Sequence, residues 1–168
     1  MKKWLNWGFN FVFAVILVVA IYKKAPEFYR HFKLEGEATN SFRVATLSGD
    51  EFDSEKMQEP FILVFWATWC GPCGVELSRL NRMILNNEVK PEAILAIAVR
   101  EEMSLVAEVA REKDYRFKIG IDSTGKIADS FHVQGTPTIV FIGKDKTVKW
   151  ITTGISPSLE YRVKRHLD

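Results

Sequence analysis

Hydrophobic and polar positions alternate in three different ways along the chain. From Trp4 to Tyr22 the residues are apolar except for Asn6 and Asn10, most densely from Phe11 to Ala20. A helix needs about 20 such residues to cross a bilayer, and Trp4, Trp7 and Tyr22 stand where interfacial aromatics belong. The run predicts an N-terminal transmembrane anchor over 1–22. A cleaved signal peptide is the competing reading, with Val18-Val19-Ala20 offering a small residue at the cleavage position. Residues 23–40 are charged, contain Pro26 and Gly36, and show no sustained apolar period, so they read as a spacer. The remainder, 41–168, is the expected folded domain.

Within that domain, short apolar runs alternate with helical periods. Phe42 to Leu47 predicts an entrance strand, closed by a turn at Ser48-Gly49-Asp50. Phe61 to Trp66 and Ala93 to Val99 are continuously apolar, as strands covered on both faces are. Between them Val75, Leu77, Leu80, Ile84 and Leu85 recur at helical spacing. Ser104 to Lys113 predicts a second helix, with Leu105, Val106, Val109 and Ala110 facing inward. A weaker strand near Lys118 to Ile121 leads through Asp122-Ser123-Thr124-Gly125 into a short helix ending near Phe131. Thr138 to Ile142, a turn at Gly143 to Lys146, and Thr147 to Thr153 predict a hairpin, after which Ser156-Pro157 opens a terminal helix. The order implies an α/β fold, a central mixed sheet flanked by helices on both faces.

Composition narrows the chemistry. A net charge of +2, with no basic stripe interleaved with aromatics, gives no support for nucleic-acid binding. The three histidines, His31, His132 and His166, never approach a metal-ligand spacing. Both cysteines of the chain lie in Trp69-Cys70-Gly71-Pro72-Cys73, so neither is left for a structural disulfide or a four-ligand zinc site. No cofactor is expected beyond the redox-active pair Cys70 and Cys73. Packing, or half of a metal site, are the alternatives; neither explains two cysteines bracketing Gly-Pro at a strand-to-helix junction.

A thiolate is the species that attacks a disulfide, and a helix N-terminus supplies about half a positive charge and free N–H groups. Cys70 falls at or just before such a terminus, and Cys73 within the first turn. Pro72 suits that turn and Gly71 keeps the approach open. Cys70 is therefore the expected nucleophile, and Cys73 the thiol that resolves the mixed disulfide. Trp66 reads as core, whereas Trp69, beside Cys70, reads as contact surface.

The segment Phe65-Trp66-Ala67-Thr68-Trp69-Cys70-Gly71-Pro72-Cys73 resembles the thioredoxin superfamily, and Gly135-Thr136-Pro137 looks like its cis-proline loop. From about Phe42 onward the chain is most similar to the membrane-anchored TlpA/ResA group of extracytoplasmic thiol-disulfide oxidoreductases. The entrance strand, Ala67-Thr68 and Glu76 carry that narrower likeness. The resemblance implies a cis bond at Thr136-Pro137, exposing backbone there for pairing with a bound peptide; a trans proline opening the next strand is the alternative. Where cytosolic thioredoxins carry a buried Asp, this chain has Val64. The resemblance makes Glu76 the substitute, a carboxylate beneath the pair that couples the thiols; a solvated first-turn Glu is the alternative.

It further implies a monomeric protein-disulfide reductase held outside the cytoplasm, in the periplasm or on the outer face of the cytoplasmic membrane. Expected clients are protein thiols and disulfides, apocytochrome c among them, with a membrane electron donor. An oxidase or isomerase of exported proteins, or a redox-switched client-binding module, are the competing functions. The basic residues argue against this orientation: Lys2 and Lys3 precede the apolar run, while Lys23, Lys24, Arg30 and Lys33 follow it.

Overall fold

The strand that organises the domain is Phe61–Trp66, six residues buried without exception. In the computed structural model, which describes residues 35–167 together with Val15, Ile16, Val18 and Val19, this strand (β3) lies at the middle of a five-stranded sheet. The expected anchor and the first part of the spacer lie outside the described residues. Among the described residues no helix is long and apolar enough to cross a membrane.

The chain enters through a hairpin of β1 (Arg43–Ala45) and β2 (Glu51–Asp53). The second strand is a finding beyond the single entrance strand expected, because three residues are too few to show a period. After β3 comes helix α1 (Gly71–Leu85), then β4 (Ile94–Val99), α2 (Met103–Glu112), β5 (Lys118–Asp122) and α3 (Lys126–Ser130). Strands β6 (Thr138–Ile142) and β7 (Val148–Thr153) precede the terminal helix α4 (Leu159–Leu167). The sheet order is β5-β4-β3-β6-β7, with β3, β4 and β5 parallel and β6 antiparallel to both of its neighbours.

Because side chains alternate along a strand, β3 feeds two cores. Ile62, Val64 and Trp66 pack in one cluster with Leu77 and Leu80 of α1 and with Leu159 and Val163 of α4. Phe61 and Phe65 point the other way, onto Phe52 of the hairpin and Phe131 beyond α3, with ring centroids 5.9 and 5.5 Å apart. Helices thus cover both faces, as expected. Burying a side chain such as Leu77 or Leu80 is worth about 1.5–3 kcal/mol relative to leaving it exposed.

The inward faces of the helices differ in detail from the periodicity. Val75, Leu85 and Leu105, all expected inside, are exposed. In α2 only Val106 is fully covered, so the inward stripe there is narrower than its four apolar positions suggested.

Both sheet edges are capped, as unpaired strand edges require. Along β7 the chain from residue 36 to 39 runs antiparallel, Gly36 N donating to Val148 O at 2.7 Å and Thr39 N to Lys146 O at 2.8 Å. The folded unit accordingly begins at Glu35, ahead of the boundary at 41 read from composition. Charged residues that look like a spacer can still satisfy an edge through their backbone. On β5, Leu47 N donates to Ile119 O, and Gly120 permits the approach: a Cβ there would lie 2.9 Å from the Val44 methyls.

His166 on α4 sets a pH dependence. Its ring stands edge-on to Phe141 and Trp150, and Nε2 lies 3.0 Å from the Ile142 carbonyl oxygen. Burial, opposed by its backbone hydrogen bonds, pushes its pKa below the usual histidine value. The unfolded chain therefore binds a proton first, and stability present above pH about 6.5 is lost as pH falls through the lower folded value. Asp145, held down to about 2 by Lys149 and Thr147, titrates well below that window. The thermal midpoint should fall on acidification from pH 7 to 5, and His166→Gln should flatten that slope; an unchanged slope would remove His166 as its source.

Candidate active site

Four strand ends meet at one edge of the sheet. Parallel strands present their carboxyl ends together, so the end of β3 lies beside the end of β4, Trp66 opposite Ala98. Antiparallel pairing brings the start of β6 to the same edge, Phe65 opposite Thr138, and the end of β7 beside it, Thr138 opposite Thr153. The cysteine motif, the Pro137 loop, the loop after β4 and the loop before α4 therefore converge.

Cys70 and Cys73 form a disulfide. Cys70 is the N-cap of α1, and Gly71, Pro72 and Cys73 make its first turn. Cys70 Sγ accepts a hydrogen bond from Cys73 N at 3.2 Å. When the pair is reduced, this N–H and the helix dipole favour the Cys70 thiolate. Exposure separates the two cysteines: Cys70 retains 7% as a residue and Cys73 none. Of the two, Cys70 is the one nearer to solvent.

The remaining expected residues fall around the pair. Trp69 is 79% exposed, and Gly71 and Pro72 are exposed beside it. Trp66 is core, its ring edge-on to Tyr115. The Thr136-Pro137 bond is cis. Pro137 is buried and its carbonyl accepts from Gly154 N at 2.8 Å, while Thr136 stays partly open.

Glu76 is fully buried, which overturns the solvated alternative. It lies one helical turn beyond Cys73 on the same face of α1. Its Oε1 accepts from Ser156 N at 2.6 Å and from Arg79 Nη1 at 3.2 Å, and Oε2 from the same nitrogen at 3.3 Å. Arg79 also reaches the Ser156 carbonyl and Glu160 of α4. Among the described residues, Glu76's hydrogen bonds go to Arg79 and Ser156 and not to a cysteine sulphur. The carboxylate thus joins the cysteine helix to the loop before α4.

The sequence does not single out Arg79 or Glu101, and it marks Ser156 only as the opening of the terminal helix. Glu101 follows β4 and is 8% exposed. Its Oε2 accepts from Thr68 N at 2.8 Å and its Oε1 from Thr68 Oγ1 at 2.6 Å. The signal that could have found it is positional: an acid just past the carboxyl end of a strand parallel to, and next to, the strand that carries the cysteines. Among the described residues no cluster of His, Cys, Asp or Glu could hold a metal ion.

Comparisons with known proteins agree with this geometry. The AhpC/TSA family model matches residues 23–151. Thiol-disulfide oxidoreductase ResA of Geobacillus kaustophilus is 30% identical over 134 residues, 79% of this chain and 76% of that protein. A thioredoxin-like protein of Haemophilus influenzae is 27% identical over 159 residues, 93% of this chain and 89% of that one. Among solved structures, StoA from Bacillus subtilis superposes with a TM-score of 0.65 at 18% identity, covering 77% of this chain and 97% of that one. A putative thiol:disulfide interchange protein DsbE from Chlorobium tepidum gives 0.69 at 22% identity, covering 79% and 94%. At those identities the two structures attest the fold, which is thioredoxin-like.

Proposed function

Because the chain belongs to the AhpC/TSA family, with ResA-type thiol-disulfide oxidoreductases among its relatives, we propose that it is a membrane-tethered reductase of protein disulfides. The observation that carries the chemistry is the Cys70–Cys73 disulfide at a helix N-terminus, with Cys70 the less buried of the two residues and a cis-proline loop at the same sheet edge.

In the reducing direction the Cys70 thiolate attacks one sulphur of a client disulfide. The client S–S bond breaks, its other sulphur leaves as a thiolate and takes up a proton, and a mixed disulfide joins Cys70 to the client. The Cys73 thiolate then attacks Cys70 Sγ, expelling the second client thiolate, which is protonated in turn. Two electrons and two protons pass to the client, and Cys70 and Cys73 are left in the disulfide form. A dithiol donor in the membrane restores them by the reverse exchange.

Trp69, Gly71, Pro72 and Thr136 form the client-facing surface, and the buried Pro137 holds the Thr136 backbone in place to pair with an extended client segment. Glu76 acts on the thiols from below. Apocytochrome c, whose C-x-x-C-H haem site needs both thiols free, fits as a client. The apolar run from Trp4 to Tyr22 supports an N-terminal anchor, and its place ahead of the whole folded domain supports an extracytoplasmic site for the chemistry.

The direction of electron flow is read from the reduction potential. Equilibration of the soluble domain with dithiol buffers should place the pair below about −200 mV, in the reducing range. A potential above about −150 mV would contradict a reductase and mark an oxidase or isomerase.

A further inference from the structure

We infer that Glu101 is a positioning residue for the attacking cysteine, acting through Thr68. The inference rests on the proposed role of Cys70 as nucleophile.

Residues Ala67 to Cys70 form the tight turn that carries the chain from β3 into α1, closed by Cys70 N donating to Ala67 O at 3.1 Å. Thr68 and Trp69 are the middle of that turn, and Trp69 projects into solvent. Ala67 and Cys70 at its ends are buried, so the exposed side of the turn is its middle, where Thr68 is only partly covered. Glu101 supplies the restraint, gripping Thr68 by both its backbone N–H and its hydroxyl from a residue 33 positions away. Hydrogen bonds to a carboxylate are roughly twice as strong as neutral ones, and two from one residue fix direction as well as distance.

The grip is itself anchored. Arg100 has a left-handed backbone, φ 56°, which turns the chain sharply at the end of β4 and sends Glu101 toward the cysteine turn. Arg100 N donates to Asp122 O, and its guanidinium pairs with Asp129 of α3 at 2.9 Å. That guanidinium lies over Gly125, where a Cβ would come within 2.6 Å of it. The device therefore runs from α3 and the end of β5, through the Arg100 kink, to Thr68 and the cap of α1. Its effect is to keep Cys70 Sγ where Cys73 N–H can stabilise the thiolate.

Position and charge predict different outcomes. The negative charge of Glu101, held against Thr68 two residues before the Cys70 cap, would by itself disfavour a thiolate, so a purely electrostatic role has the opposite sign. Glutamine removes the charge and keeps both contacts, its carbonyl accepting from Thr68 N and its amide donating to Thr68 Oγ1. Alanine removes both.

The test measures Cys70 alkylation against pH, and turnover of a disulfide-bonded protein substrate, on the whole reduced chain. Glu101→Ala should slow turnover about tenfold or more, equivalent to about 1.4 kcal/mol, and move the alkylation profile to higher pH. Glu101→Gln should restore turnover to within about threefold of the parent, with an alkylation profile at the parent's pH or lower, because both contacts stay and the charge is gone. Thr68→Val, which keeps the backbone N–H and loses the hydroxyl, should fall between them, and decides the matter should Glu101→Ala fail to fold. Parent-like turnover in Glu101→Ala or Thr68→Val would overturn the inference, as would Glu101→Gln behaving like Glu101→Ala. A parent chain inactive toward disulfides would instead refute the oxidoreductase reading itself, so the two failures are distinguishable.

Discussion

Replacing Cys70 with Ser should reduce disulfide exchange to the uncatalysed background, a loss on the order of a thousandfold or more, as removal of a covalent nucleophile does. The fold should be untouched. Cys70 is the cap of α1, and serine is among the best N-cap residues, so the helix keeps its start. The disulfide closes a loop of only a few residues, so its loss removes little chain entropy from the unfolded state. Activity and stability should therefore separate: stopped-assay rates vanish while the denaturation midpoint moves little. A binding module whose disulfide is incidental would keep its biological activity in this variant, and that result would sink the catalytic account.

The second large effect concerns Arg79. Its side chain is 17% exposed and pairs with Glu76, whose side chain has no exposure at all. Removing one partner of a buried pair leaves the other uncompensated, at a cost of about 3–5 kcal/mol. The partial exposure of Arg79 and the remaining bond from Ser156 N place Arg79→Met at the lower end, about 3 kcal/mol in chemical denaturation. Because Arg79 also holds the Ser156 carbonyl and Glu160, part of that loss is weaker attachment of α4 to α1. The double change Glu76→Leu with Arg79→Met should recover only part of the stability: no charge stays buried, but Ser156 N and Ser156 O both lose their partners. A loss below about 0.5 kcal/mol in Arg79→Met would mean the pair is screened as surface pairs are.

How much of this was legible in the sequence follows from how local each signal is. Continuous apolar runs identified β3 and β4, and the cysteines announced themselves by spacing at a strand-to-helix junction. Cap chemistry placed Cys70 at the helix start because Pro72 and the apolar period after it leave little other choice. Long-range contacts left no such trace. An arginine three residues on, such as Arg79, is a partner that solvated helix glutamates also have; the burial of Glu76 depends as well on a loop 80 positions away. Glu101 meets Thr68 only through the register of two parallel strands. Residues 36 to 39 looked like a spacer because side-chain pattern says nothing about backbone pairing along an edge. Exposed Val75, Leu85 and Leu105 show the converse: helical periodicity counts apolar residues that the neighbouring elements do not cover.

The most direct test of the roles of the two cysteines, Cys70 attacking and Cys73 resolving, is client trapping with Cys73→Ala in cells that express the protein, followed by mass spectrometry of the cross-linked peptides. Mixed disulfides should join Cys70 to client cysteines, be lost on reduction and be absent from the Cys70→Ser, Cys73→Ala double variant. Recovery of no covalent adduct from Cys73→Ala, or of clients bound through Cys73 in the Cys70→Ser protein, would contradict those roles.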